Sequence, residues 1–315
     1  MVKFNDLIFK ELLRRGYSLE GKTKIWNIAD SKLWYLTPEQ AQAYLDFISY
    51  PGSMSASAPI EMTLISTHMD ELLKQIGEKP LNIIDLGCGD GRKAVLFIDR
   101  LKGKVKLRYC PIDISGYMTA KAIENVQKLV AAEVIKVQWN ISDFENLENI
   151  APLLRSGEFK QNLFLLLGNT LGNFEIHELL YEVRSGMKEG DFILIGNGLN
   201  NHKLDDSIIK SLKGSKEMDK FLGYITAQLG LDGSEVEYDA RFKNSRIEFY
   251  YTLKKDKNIA FQGKNISFTK GDQIIVAVSY HYEFEDFMGY LNMYFDNVNV
   301  YLSEDKSYIL ALCRK

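Results

Sequence analysis

Between Leu81 and Asn200 the chain repeats one pattern: a short apolar run, a turn of glycine and small polar residues, then an amphipathic stretch. The runs are "LNIIDLG" (81–87), "KLRYCPIDIS" (106–115), "VIKVQWNISDF" (134–144), "QNLFLLLGNTLGNF" (161–174) and "DFILIGNGLN" (191–200). Strands alternating with helices make βαβ units, and βαβ units make a parallel sheet wound on both faces. "LFLLL" shows no polar alternation, which suits a strand covered on both sides. The fold class expected is therefore α/β, a doubly wound sheet.

The flanking segments have another texture. Residues 1–75 read as a helical N-terminal segment, with Trp26, Trp34, Tyr35, Tyr44 and Phe47 as packing residues or a lid. Thr37 and Pro38 start one helix there. Ile60, Leu64, Ile65, Met69, Leu72 and Leu73 form the apolar face of another. Residues 76–200 are the doubly wound core. Residues 201–282 read as a mixed α+β insertion, helical at first and then stranded. In "RIEFYYTL" the residues Ile247, Phe249, Tyr251 and Leu253 alternate toward one buried face. Residues 283–315 supply a helix and a hairpin that complete the core sheet.

Composition excludes several classes of function. A formal net charge of −3 over 315 residues gives no footprint for nucleic acid. No apolar run reaches the length of a membrane span. The charged N-terminus lacks the apolar region of a secretory signal. Cys88, Cys110 and Cys313 form no spaced metal motif, so neither a metal site nor a disulfide framework is expected. A cytoplasmic location follows as the default, and the oligomeric state stays open.

The chemistry is concentrated after the first strand. Gly87, Gly89 and Gly91 leave a strand and open a helix, where bare backbone lets a ligand approach closely. The spacing is G-x-G-x-G, with Arg92 where a dinucleotide pattern would place its third glycine. Asp85 and Asp90 would repel a pyrophosphate and favour a cationic nucleoside. Asp113 ends the second strand, where an acidic residue holds ribose hydroxyls in doubly wound folds. Asp143 and Phe144 end the third, offering an acceptor for an adenine amino group beside an aromatic ring. Each aspartate alone is better read as a helix cap. Three at successive strand ends point to a nucleoside.

"IIDLGCGDG", "PIDIS" and "SDF", in this order, resemble the cofactor motifs of class I S-adenosylmethionine-dependent methyltransferases. With "LFLLLGNTLGNFE" added, the chain resembles the family of the histidine N-alpha-methyltransferase of ergothioneine biosynthesis, from about residue 50 to the end. That resemblance implies a Rossmann-like methyltransferase sheet, with S-adenosyl-L-methionine as cofactor and a small-molecule substrate. The implied cofactor residues are Asp85, Gly87, Cys88, Gly89, Gly91, Lys93, Asp113, Ile114, Ser115, Asp143, Phe144, Gly168, Asn169 and Thr170. Asn173 matches the asparagine that grips the amino-acid end of the substrate and is taken as the catalytic, substrate-orienting residue. The alternative is that it caps the following helix.

The substrate strand departs from the family pattern. In "GDQIIVAVSYHY" the family carries a glutamate and, two residues on, a serine that hold the imidazole. Here Ala277 and Ser279 stand there, with Phe249 on the neighbouring strand assigned to the same site. Histidine is then a poor fit, and an amino acid or derivative of different shape is the expected acceptor. A protein or peptide acceptor, or a regulatory homologue without catalysis, are the alternatives. His281 is weighed as a proton acceptor against a packing role. His68 and His177 carry no pattern.

Overall fold

A computed structural model describes residues 5–49, 57–137, 140–141, 143–200 and 206–315. The chain opens with α1 (Asp6–Arg15), β1 (Ser18–Glu20), β2 (Thr23–Asn27) and α2 (Pro38–Ser49). There follow α3 (Ser57–Ile76), β3 (Leu81–Leu86), α4 (Arg92–Leu101), β4 (Leu107–Ile112), α5 (Gly116–Gln127) and β5 (Glu133–Val134). Next come α6 (Leu147–Leu154), β6 (Gln161–Leu166), α7 (Ile176–Gly186) and β7 (Phe192–Gly198). Then α8 (Asp206–Lys213), α9 (Lys216–Gln228), β8 (Val236–Lys243), β9 (Arg246–Leu253), β10 (Lys257–Phe261), β11 (Lys264–Phe268) and β12 (Gln273–Tyr280). The chain closes with α10 (Phe284–Tyr294), β13 (Asn297–Leu302) and β14 (Tyr308–Arg314).

These elements divide into two compact units, Ala56–Asn201 with His281–Lys315, and Met1–Ser55 with His202–Tyr280. In the first, the described strands form one sheet in the order β13-β14-β7-β6-β3-β4-β5. β5, β4, β3, β6 and β7 run parallel; β14 runs against them beside β7, and β13, antiparallel to β14, returns to their direction. This is the Rossmann-like, doubly wound α/β sheet expected from the sequence. The chain steps outward from β3 to β5, then returns to place β6 on the other side of β3. Ligands bind doubly wound sheets at such a reversal, beyond the carboxyl ends of the strands.

The core of this unit is apolar and closely packed. Ile83, Tyr109, Leu163, Leu194 and Leu310, one from each of five strands, share a buried cluster with Phe97 and Ile98 of α4. Ile65, Leu72 and Ile76 of α3 belong to it as well. The helix placed before a boundary at residue 75 therefore packs with the sheet, because its apolar stripe is the cover for one face of it.

The third strand is shorter than its apolar run suggests. Among the described residues, Glu133 and Val134 pair with β4, and a further bridge joins Ile141 to Asp113. Asn140 explains the interruption. Its side-chain oxygen accepts from the Val137 N–H at 2.6 Å while its amide donates to the Pro111 carbonyl at 2.7 Å. A turn built on an asparagine side chain competes with the ladder at this open edge.

In the second unit a five-stranded sheet runs β1-β2-β12-β9-β8, and β10 pairs with β11 separately. The N-terminal segment thus contributes strands as well as helices. Gly16 and Gly21, both at positive φ, end α1 and turn the β1–β2 hairpin. Ile25 and Trp26 of β2 are buried in clusters on opposite faces of the sheet, so β2 is covered on both sides.

Candidate active site

The glycine turn after β3 lies at the carboxyl edge of the seven-stranded sheet. Gly87, Gly89 and Gly91 all have left-handed φ, at 66°, 51° and 75°. A Cβ on Gly91 would lie 2.9 Å from the Ala122 Cα in α5, so this glycine also sets how closely α4 approaches α5. A Cβ on Gly87 would meet Thr170 Cγ2 at 3.0 Å. The turns after β3 and β6 therefore touch across the point where the strand order reverses. A Cβ on Gly89 would meet nothing within 4 Å.

Asp113 ties the second strand to this turn. Its carboxylate accepts from the Gly89 N–H at 3.1 Å and from the Ser115 N–H at 2.9 Å. Ser115 in turn caps α5, its hydroxyl accepting from the Met118 N–H at 3.4 Å. Burial pushes the Asp113 carboxyl up to about 6 against the pull of these backbone donors. Beside it Ile114 is 36% exposed, an apolar side chain presented at a strand end. Phe144 is buried, and its ring lies 5.5 Å from that of Phe174, joining the loop after β5 to the turn after β6.

Asp85 is buried at the end of β3 and accepts from the Tyr109 hydroxyl at 2.8 Å. Burial raises its carboxyl to about 7. Asp90 is held by the Arg92 guanidinium at 2.6 Å. Burial thus disfavours the charge on Asp85, and a cation offsets the charge on Asp90. Cys88 is buried and free, and burial raises its thiol well above the usual range. It belongs to the apolar cluster beneath the turn.

The turn after β6 is built around Gly168, Asn169 and Thr170. Asn169 takes a left-handed φ of 60°, and its side-chain oxygen accepts from the Gly198 N–H at 2.7 Å, fixing the turn to β7. The Thr170 hydroxyl donates to the Leu167 carbonyl at 2.7 Å. Asn173 is half-buried in a short 3-10 turn, and among the described residues its side-chain amide has no hydrogen-bond partner. The cap of α7 is Glu175, which accepts from the His177 N–H at 2.9 Å and the Glu178 N–H at 3.1 Å. The capping role weighed for Asn173 belongs to Glu175.

Sequence reasoning missed Glu61 of α3. Its carboxylate is fully buried. It takes the Gly168 N–H at 2.8 Å, the Tyr308 hydroxyl at 2.7 Å and the Lys93 ammonium at 2.5 Å. It also fills the space that a Cβ on Gly196 of β7 would need. A glutamate at a helical position reads as solvated surface, and only the fold reveals that four elements converge on it. His281 follows β12, within 3.2 Å of where a Cβ on Gly198 would stand. Burial pushes its imidazole down to about 4, so it is neutral at physiological pH.

The residues assigned to the substrate lie in the other unit. Phe249 of β9 pairs with Ala277 of β12, and Ile247 pairs with Ser279, on one face of the five-stranded sheet. Phe249 and Ala277 are buried in that unit's apolar core, and Ser279 is half-buried at the strand end. Tyr50 and most of the loop that follows it lie outside the described residues. Among the described residues no group of three or more His, Cys, Asp or Glu side chains is placed to hold a metal. No described helix is long and apolar enough to cross a membrane.

A family model described as histidine-specific, SAM-dependent methyltransferase matches residues 58–315. Ergothioneine biosynthesis protein 1 of Schizosaccharomyces pombe is 25% identical over 118 residues, which is 36% of this chain and 15% of that protein's length. Among solved structures, an S-adenosylmethionine-dependent methyltransferase from Clostridium acetobutylicum is 14% identical, with a TM-score of 0.46, covering 88% of this chain and 99% of that one. The PH0226 protein from Pyrococcus horikoshii is 13% identical with the same TM-score of 0.46 and the same coverage, 88% and 99%.

Proposed function

Because this chain belongs to the family of histidine-specific, S-adenosylmethionine-dependent methyltransferases, we propose that it methylates the amine nitrogen of a small amino acid or amino-acid-derived substrate. The observation that carries this reading is the convergence at the strand reversal: a bare, left-handed glycine turn, Asp113 fixed against it by the Gly89 N–H, and the paired rings of Phe144 and Phe174. These features suit a nucleoside cofactor. A turn without side chains admits close approach. Asp113, held by two backbone donors, keeps lone pairs for a ribose diol. Exposed Ile114 offers an apolar surface to the flat side of an adenine.

When bound, S-adenosylmethionine supplies an electrophilic methyl group on a sulfonium. The protein's task is to bring an amine lone pair into line with it, and positioning of this kind accounts for about 7 kcal/mol or more in favourable cases. Asn173 is suited to the substrate's amino-acid end, since an amide both donates and accepts. Its lack of a partner among the described residues supports that use. The turn carrying it is braced by Asn169 on Gly198, so the amide is presented from a fixed backbone. Burial lowers the His281 imidazole to about 4, which disfavours its protonated form and weighs for a packing role over that of proton acceptor.

The acceptor we favour is not histidine itself. Ala277 carries no carboxylate for an imidazole N–H, where the family resemblance implies a glutamate. A site that leaves such a donor unanswered discriminates against the ligand that carries it. The test is incubation with methyl-labelled cofactor and a panel of amino acids and amines. Label is expected in one small primary or secondary amine in preference to histidine, and Asp113→Ala is expected to weaken S-adenosylhomocysteine binding about tenfold or more. Absence of calorimetric heat with S-adenosylhomocysteine would remove the cofactor site. Label found only in protein would redirect the reading to a macromolecular acceptor.

A further inference from the structure

We propose that Glu61 is a positioning residue for the amino-acid end of the cofactor, acting through Lys93; this rests on the cofactor site described above. The Glu61 carboxylate has no exposure, yet it sits at the carboxyl edge of the sheet and is shared among three groups from different parts of the unit. The Gly168 N–H and the Tyr308 hydroxyl hold one oxygen, at 2.8 and 2.7 Å, and the Lys93 ammonium holds the other at 2.5 Å. Gly196 leaves the space it occupies. A carboxylate buried at this depth is tolerated only when paired and hydrogen-bonded. The sheet is built to accept it.

Lys93 differs from Glu61 in one respect: its side chain retains 22% exposure. An ammonium has three donors, and Glu61 accepts from one of them. Lys93 lies in the first turn of α4, directly behind the glycine turn, and is close enough to Asp85 to pull against that carboxyl's upward shift. The local set is one cation between two carboxyl groups. That is the complement of a zwitterionic α-amino acid, whose carboxylate takes the outward face of Lys93 and whose ammonium faces an acidic neighbour. Glu61 does not reach the ligand in this account. It fixes the lysine, and through the Gly168 N–H it fixes the turn opposite.

The experiment compares two ligands that differ only at that end. S-adenosylhomocysteine carries the amino-acid group, and methylthioadenosine lacks it. Calorimetry is run on the intact protein and on the Glu61→Gln, Lys93→Met and doubly substituted variants, with thermal unfolding of each measured without ligand. Glu61→Gln is expected to weaken S-adenosylhomocysteine about tenfold or more and to change methylthioadenosine by less than about twofold. Once Lys93→Met is present, Glu61→Gln is expected to add little, because residues acting through one another are not additive. Equal losses for both ligands mean a structural role and overturn the proposal. So do losses that multiply in the double variant, or unchanged binding of S-adenosylhomocysteine. If the unsubstituted protein binds neither ligand, the cofactor site itself fails instead.

Discussion

Gly89 and Gly91 stand two residues apart in one turn, and both need a left-handed backbone, yet they differ in what surrounds them. A Cβ on Gly91 meets the backbone of α5 at 2.9 Å, whereas one on Gly89 meets nothing. An alanine in left-handed conformation costs about 1–2 kcal/mol from backbone sterics alone. Gly89→Ala is therefore expected to lose about that much stability, and to lose cofactor affinity because the bare side of the turn is what the ligand approaches. Gly91→Ala adds a clash with a packed helix that cannot yield cheaply, and is expected to cost about 2–4 kcal/mol in all. Denaturant unfolding separates the two. A similar loss at both positions would mean that α5 moves aside, and that the close approach is not a constraint.

At the scale of elements, the turn after β6 and the start of α7 divide two jobs between adjacent residues. Glu175 caps the helix, and its replacement by alanine is expected to cost about 1 kcal/mol with little effect on turnover. Asn173→Ala is expected to leave stability within about 0.5 kcal/mol and to lower kcat/KM for the acceptor sharply, with S-adenosylhomocysteine binding unchanged. Unfolding, turnover and binding measured on both variants decide it; an Asn173 variant that is merely less stable would return the residue to a structural role. This division was half legible in the sequence. "GNTLGNF" marks a turn, but an asparagine before a helix reads equally as cap or ligand, and glutamate is a less common cap than asparagine. The parallel strands were plain because burial on both faces leaves unbroken apolar runs. β5 was not, because at a sheet edge a side chain such as Asn140 can capture the backbone without exposing a core. β1 and β2 were hidden for a related reason: three to five residues carry too little periodicity to be told from the helices around them. Glu61 was illegible because its partners lie 32, 107 and 247 residues away in the chain, at Lys93, Gly168 and Tyr308.

For the whole molecule, the two buried aspartates at the cofactor edge set stability and ligand binding against each other. Burial raises Asp85 to about 7 and Asp113 to about 6, from an ordinary value of 3.8. In the window between these values the folded protein holds protons that the unfolded chain has released. Each such group contributes stability that is complete below about pH 4 and is lost as the pH climbs through its folded value, by about 1.4 kcal/mol per pH unit. Binding runs the other way. A ribose diol donates to a carboxylate, so Asp113 serves a nucleoside best when ionised, above about pH 6. We expect S-adenosylhomocysteine affinity to fall as the pH drops below about 6, approaching tenfold per unit, and to lose that dependence in Asp113→Asn. We also expect the stability of the unsubstituted protein relative to Asp85→Asn, followed by denaturant unfolding, to decline between about pH 4 and 7. Asparagine keeps the shape and cannot titrate, so the difference isolates this one carboxyl among all others. Functional sites commonly retain groups whose charged form the fold disfavours, because the ligand needs that form. A relative stability that stayed level across the window would mean that Asp85 is ionised throughout in the folded protein, with Lys93 rather than a proton balancing its charge.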